Sequence, residues 1–424
     1  MADLSIRLRR ATPGLLNLPW LDPLADWPPE AAEFRELPVG PSRHTVRFVV
    51  ADGVLYALKE LPTRIARKEY QVLRDLEARQ LPAVGVVGLV EQPSGGNAIL
   101  VTEYLRNSWQ YRRLFQRLPR LDKHRERLLD AMAILLVDLH RAGVFWGDCS
   151  LANTLFRRDG QALQAFLVDA ETSEVHPGLT DGQRQFDLDI LVDNITGDLL
   201  DLAVALGGDS QDVDQHLAAA SSVAARYQQL WDELTSREEF GLDERYKVAG
   251  RVRRLNELGF AVDELELEPV GGDACCLRLR VAVASRRFHV EQLRRLTGLE
   301  VGEGQATVLL NDLRAFQARL EREGPGPAGD AVIGQRWMAE CFQPGAAAAT
   351  AALADQADPI QAYCDLLEVR WLLSERAGRD VGDQAALEAL ASREAPPESA
   401  AAMAVVEAPT GSFQPIGAEP DGGA

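Results

Sequence analysis

The segment GVFWGDCSLANTLFRRDGQALQAFLVDAETSEV, residues 143–175, sets Asp148, Asn153 and Asp169 among runs that read as buried strands. Polar side chains are costly in such places unless they are hydrogen-bonded, paired or metal-bound. Asp148 and Asn153 form D-x-x-x-x-N directly after a helical stretch carrying "LLVDLHRAG". On a tight loop the two can divide one task, Asp orienting or deprotonating a hydroxyl and Asn binding a divalent metal. The competing reading is an Asx turn that caps local backbone. "TLF", the turn residues "RRDGQ" and "AFLVDA" then read as a hairpin whose second strand ends in Asp169. That hairpin returns Asp169 to the side of Asn153, a hard-oxygen pair suited to magnesium with phosphate.

Upstream, "VLYALKEL" places Lys59 in a strand, on the side of Ala57 and Leu61. Glu69 follows in "RIARKEYQVLRDLEAR", where a turn of 100° per residue sets it inside the apolar stripe of Ile65, Ala66, Leu73 and Leu76. An unpaired carboxylate is expensive there, and a strand lysine nearby is the simplest partner. The alternative is a boundary Glu that reaches water along its stem.

Lys59, Glu69, Asp148, Asn153 and Asp169 stand in the chain order of the protein-kinase signature set. Between them "ILVTEYL" looks like a kinase hinge. On these motifs the first 235 residues resemble the protein-kinase-like superfamily, in its small atypical branch near bacterial lipopolysaccharide (Kdo) kinases. The whole chain resembles bacterial proteins that join such a domain to an uncharacterised C-terminal domain. The resemblance implies an α+β, two-lobed protein-kinase-like fold, with a small β-rich N-lobe, a helical C-lobe and a second α+β domain.

It also implies ATP and Mg2+ as cofactors. Lys59 would bind the α/β-phosphates and be positioned by Glu69. Asp148 would orient or deprotonate the acceptor hydroxyl, while Asn153 and Asp169 hold magnesium. Thr102 would be the gatekeeper, with Glu103, Tyr104 and Leu105 along the adenine edge. The Gly-rich loop is thin: "VGPSRHTVRF" keeps Gly40 but has Ser42, Arg43 and His44 where glycines usually let amides approach. Arg43 and His44 either contact phosphates by side chain or are exposed loop-tip residues.

Beyond the thin Gly-rich loop and a short Lys59–Glu69 spacing that fits a trimmed N-lobe, the chain departs from the kinase pattern at three further places. Trp146 stands for the usual His, Ser150 for the Lys two after the catalytic Asp, and Ala170–Glu171 for Phe-Gly. Glu171 adds a second carboxylate at the metal or points to solvent. Asp187 or Asp189 resembles the aspartate that braces the catalytic loop. A new helix begins within about fifteen residues of Asp169, and no A-P-E motif follows, so a sugar, glycolipid or small-molecule acceptor is expected rather than a protein. The competing functional readings are a pseudokinase scaffold and an adenylyl transferase on the same fold.

The 424 residues allow two domains. The expected division is an irregular Trp-containing arm at 1–34, the kinase-like domain at 35–238, an α+β domain at 239–392 and a Pro-, Ala- and Gly-rich disordered tail at 393–424. A net charge of −19 argues against a nucleic-acid binder and reads as a solubility feature, with "RVRRL" and "LRRLT" as candidate local anion sites. It also weighs against a helix-turn-helix reading of "VEQLRRLTGLEVGEGQATVLLNDLRAF". The C-terminal domain is expected to be a lobe-packing or acceptor-binding module, with a protein partner as the further option. Five scattered cysteines without zinc spacing, no secretory signal and no long apolar run lead to the expectation of a cytoplasmic bacterial protein without a membrane span.

Overall fold

A computed structural model describes residues 4–37, 43–93, 96–117, 122–205, 213–236, 238–241, 246–269, 276–283, 286–323, 329–353 and 358–406. The fold is α+β, with an antiparallel sheet at the N-terminus and helices toward the C-terminus.

The N-lobe contains β1 (Ser5–Leu8), α1 (Pro13–Leu16), β2 (Glu33–Arg35), β3 (Thr45–Ala51), β4 (Val54–Pro62), α2 (Thr63–Ala78), β5 (Val86–Glu91) and β6 (Asn97–Glu103). The strands form one sheet in the order β1-β5-β6-β4-β3-β2, antiparallel throughout. The expected hairpin is β3–β4, closed at Asp52 and Gly53 with φ of +48° and +76°. Two positive φ values match the right-handed twist of paired strands.

The arm packs on the sheet, and its ends join it as edge strands, β1 on β5 and, across its C-terminal end, β2 on β3, because their backbone groups find partners on open edges of the sheet. Its Trp20 and Trp27 stack edge-to-face at 5.4 Å and are buried with Leu15, Val49, Leu58, Ile99 and Val101 on one sheet face. The other face packs on α2 through Ala66, Tyr70, Leu73 and Leu76.

The C-lobe follows as β7 (Ser108–Gln110), α3 (Tyr111–Arg117), α4 (Asp122–Arg141), β8 (Val144–Phe145), β9 (Thr154–Asp159), β10 (Ala162–Leu167), β11 (Glu174–Val175), α5 (Asp181–Ala205) and α6 (Val213–Thr235). Hairpin β9–β10 has Thr154 opposite Leu167 and Asp159 opposite Ala162, as the "RRDGQ" turn predicts. One core runs from α2 and β6 through α4 and β10 to α5 and α6.

The remainder comprises β12 (Glu238–Gly241), α7 (Tyr246–Glu257), β13 (Val262–Pro269), β14 (Cys276–Val283), α8 (Phe288–Thr297), α9 (Glu303–Glu323), α10 (Asp330–Trp337), α11 (Gln343–Ala352), α12 (Pro359–Ala377), α13 (Gly382–Ala391) and α14 (Ala401–Val406). A π-helical turn, Met338–Phe342, joins α10 to α11. The second hairpin expected from the alternation is β13–β14, with β12 added on β14; its Gly-Gly turn and Cys275 lie outside the described residues. Helices α8 to α13 enclose their own core around Leu309, Trp337, Phe342, Tyr363 and Val369. Part of the expected disordered tail is ordered: Ser399 to Met403 are buried, with Ala401 in the α8–α13 core and Met403 in the core that runs from α2 to α6. Small side chains there fit against packed helices, which offsets the low complexity of the sequence. Residues 407–424 lie outside the described residues. Among the described residues no helix is long and apolar enough to cross a membrane.

Candidate active site

Lys59 sits in the middle of β4, opposite Val46 on β3 and Leu100 on β6. Its Nζ lies 3.3 Å from Glu69 Oε2, 2.7 Å from Asp169 Oδ2 and 3.6 Å from Glu171 Oε2. Glu69 projects from the apolar face of α2 and is 1% exposed, so the reading of a paired carboxylate holds over the water-reaching one. The Ala170 amide donates to Glu69 Oε1 at 3.3 Å, and the Glu171 amide to Asp169 Oδ1 at 3.1 Å. Helix α2, strand β4 and the segment after β10 therefore meet at one ammonium.

Three carboxylates around one lysine carry surplus negative charge. Burial pulls the Lys59 ammonium down, but Glu69, Asp169 and Glu171 together more than reverse it and hold its pKa above the ordinary value. Burial, with the charge of Asp169 adding, pushes Glu69 up to about 7 against the opposing pull of Lys59. A raised carboxyl binds a proton in the folded protein between about pH 4.5 and 7 that the unfolded chain has released. The contribution of Glu69 to stability therefore falls as pH rises through that window and is flat above it. Glu69→Gln is expected to remove this slope. Urea midpoints measured from pH 5 to 8 check it, and parallel wild-type and variant curves would refute it.

The loop between β8 and β9 is held from below by helix α5. Asp187 accepts the amides of Trp146 (2.7 Å) and Gly147 (2.8 Å) and the thiol of Cys149 (3.4 Å). It also receives His140 Nε2 at 3.0 Å, while His140 Nδ1 meets the Tyr227 hydroxyl at 2.8 Å. Burial lowers the His140 pKa and so favours the neutral ring; the acceptor carboxylate at Nε2 then selects the tautomer with Nε2–H donating to Asp187 and Nδ1 accepting from Tyr227. Burial pushes the Cys149 thiol well up, which leaves it an inert packing group. Asp198 accepts the amides of Leu151 (2.9 Å) and Ala152 (3.2 Å) and the Tyr111 hydroxyl (3.2 Å). Of the two aspartates weighed as the brace, Asp187 is the one; Asp189 is exposed and bonds Gln185.

Within this braced loop, Asn153 Nδ2 donates to Asp148 Oδ2 at 2.8 Å, and Asn194 Nδ2 donates to Asp148 Oδ1 at 2.9 Å. The Asx-turn alternative is partly realised, since Asn153 Nδ2 also reaches the Asp148 carbonyl at 3.2 Å. With its NH2 so engaged, Asn153 has Oδ1 to offer a cation. The Val168 amide donates to the Asn153 carbonyl at 3.1 Å, so the hairpin does bring the Asp169 strand back beside Asn153. Gly147 adopts φ +77° where the chain turns into the loop, and a Cβ there would press on Phe145 and Thr172.

Glu69, Asp169 and Glu171 each present a carboxylate oxygen, all within 4.8 Å of one another. Glu171 points inward rather than to solvent, and His44 Nε2 reaches it at 3.3 Å. His44 thus meets a carboxylate, while Arg43 is exposed; Gly40 and Ser42 lie outside the described residues. In the hinge-like stretch, Thr102 Oγ1 donates to the Ala57 carbonyl at 3.4 Å, and the Glu103 and Tyr104 amides donate to Gly85 and Leu55. The Glu103 carboxylate pairs with Arg10 at 3.0 Å, and the Leu105 carbonyl accepts from Ser108 at 2.6 Å. The Trp146 indole is fully buried, packing in the core where the resemblance has a histidine.

Asn194 and Asp198 hold the candidate loop, and the sequence reading passed over both. Their signal was present: 187, 194 and 198 are seven and four apart, within about 40° on one helix face at 100° per residue. Charge on a face that also carries Leu191 and Ile195 is the mark of a helix that binds backbone rather than water.

Residues 53–205 match the family model of the lipopolysaccharide kinase (Kdo/WaaP) family, and residues 229–393 match that of a domain of unknown function (DUF4032). Among solved structures, one titled WaaP in complex with acyl carrier protein is 19% identical, covers 48% of this chain and 90% of that chain, and has a TM-score of 0.31. No curated protein matches the chain. The chain joins a kinase-like domain, similar to the lipopolysaccharide kinase family, to a C-terminal domain similar to one of unknown function.

Proposed function

We propose that the protein is an ATP- and magnesium-dependent phosphotransferase acting on a non-protein hydroxyl, of a sugar, a glycolipid such as a lipopolysaccharide, or a small molecule. The supporting observation is the meeting of Lys59 with Glu69 and Asp169, beside a loop that presents Asp148 with Asn153. The family match over residues 53–205 supports the acceptor class.

Magnesium fits the donors present: Asp169, Glu171 and the Asn153 Oδ1 are hard oxygens near an excess of negative charge. When bound, the ion would neutralise charge on the phosphates. Lys59 would turn its ammonium from Asp169 toward the α/β-phosphates while Glu69 keeps it in place. Asp148, an acceptor-only carboxylate held by two amides, would orient the acceptor hydroxyl and take its proton as the oxygen bonds to the γ-phosphorus and the bond from that phosphorus to the β–γ bridging oxygen breaks, ADP leaving with that oxygen. Glu103, Tyr104 and Leu105 would line the adenine edge, with Thr102 behind them.

One observation favours a nucleotide-binding scaffold without turnover: Lys59 is already engaged by three carboxylates. Incubation with γ- or α-labelled ATP, magnesium and a glycolipid-containing extract separates the readings. Label transferred from the γ position and lost in Lys59→Met supports the phosphotransferase. Label from the α position indicates adenylyl transfer. No transfer, with magnesium-dependent thermal stabilisation by ATP, indicates the scaffold.

A further inference from the structure

The hairpin that joins Asn153 to Asp169 is gripped at its far end by the C-terminal domain. Strand β9 begins one residue after Asn153, and β10 ends two before Asp169, so a tilt of the hairpin moves one of these residues against the other. At its tip the Asp159 carboxylate accepts the amides of Gly304 and Gln305, both at 2.8 Å, in the first turn of α9. The Gln361 side chain on α12 takes both backbone groups of Gly160, accepting its N–H at 3.0 Å and donating to its carbonyl at 2.9 Å. Arg158 Nη1 bonds both oxygens of Asp365 at 2.7 and 2.6 Å.

All four of these side chains are buried. Glycines make the approach close: a Cβ on Gly304 would lie 2.1 Å from the Asp159 carbonyl, and one on Gly302 2.2 Å from its carboxylate. A buried polar contact of this kind favours one arrangement, because separating its halves leaves Asp159, Asp365 and the Gly160 backbone groups as costly orphans. It couples residues more than 200 positions apart, such as Arg158 with Asp365.

We infer that the C-terminal domain sets the geometry of the phosphotransfer centre through this hairpin, with Arg158, Asp159, Gln361 and Asp365 as positioning residues. The inference rests on the phosphotransferase reading for its consequence and on the hairpin contacts for its mechanism. The domain acts in cis as a clamp on the strand ends that carry Asn153 and Asp169.

The test uses the full chain, with Gln361→Met, which loses both bonds to Gly160, and the milder Asp159→Asn. Two quantities are read: amide hydrogen exchange at Val168, whose N–H bonds the Asn153 carbonyl, and the magnesium concentration that half-saturates stabilisation by ATP. Both are expected to rise about tenfold, the usual cost of losing an outer support of a metal site, while amides in the middle of α4 stay unchanged. Exchange that rises only at residues 158–161, 303–305 and 359–365, with Val168 unmoved, overturns the inference. If wild-type protein shows no magnesium-dependent response to ATP, the phosphotransferase reading fails, and the Val168 exchange still decides the clamp.

Discussion

Asp148→Ala is expected to lower phosphoryl transfer by about 10²- to 10⁴-fold, the range of a lost general base, while ATP still stabilises the protein against heat. The separation follows from the geometry. Asp148 makes its side-chain bonds to Asn153 and Asn194, and Lys59 is bound by the other acidic groups. Truncation leaves Asn153 its bond to the backbone carbonyl of residue 148, so the loop keeps one of its local ties. Single-turnover transfer and thermal shift on the same preparation provide the comparison. Transfer within threefold of wild type would remove Asp148 from the reaction, whatever the nucleotide does.

The second large effect is on stability. Asp187→Ala strands two backbone amides and the His140 Nε2–H where the carboxylate now lies fully buried. Each orphaned donor costs about 1–3 kcal/mol, so a loss on the order of 4 kcal/mol is expected. For a domain of this size that corresponds to a fall of roughly 10 °C in Tm. Asp189→Ala, two residues on and exposed, should stay within about 0.5 kcal/mol of wild type. Calorimetry on the pair checks the assignment, and equal Tm values for the two variants would show that the loop does not depend on its brace. His140 and Tyr227 continue the same network, so His140→Ala should lower Tm in the same direction and less than additively with Asp187→Ala.

The legibility of the site differed from residue to residue for physical reasons. Lys59 and Glu69 could be paired from sequence because each broke a local pattern, a charge in an apolar strand and a charge in an apolar helix stripe. Asp169 was reached through turn chemistry, since Gly160 at φ +62° closes the hairpin that returns the chain to Asn153. Glu171 was open between metal and solvent, and only its contacts with Lys59 and His44 turned it inward. The Trp-containing arm lacked strand alternation, because edge strands of three or four residues draw their stability from the sheet they join rather than from their own pattern.

By itself the sequence determined what depends on near neighbours in the chain: helix α2 and its buried Glu69, the β3–β4 and β9–β10 hairpins, and the loop with Asp148 and Asn153. Periodicity and turn conformation are local, so they can be read one window at a time. Tertiary structure alone decided which side chains meet across long separations. Asn194 came to hold Asp148 across 46 residues, and Asp365 came to hold Arg158 across 207. Such contacts depend on how whole elements pack, and buried polar groups then take whichever partner that packing brings within reach.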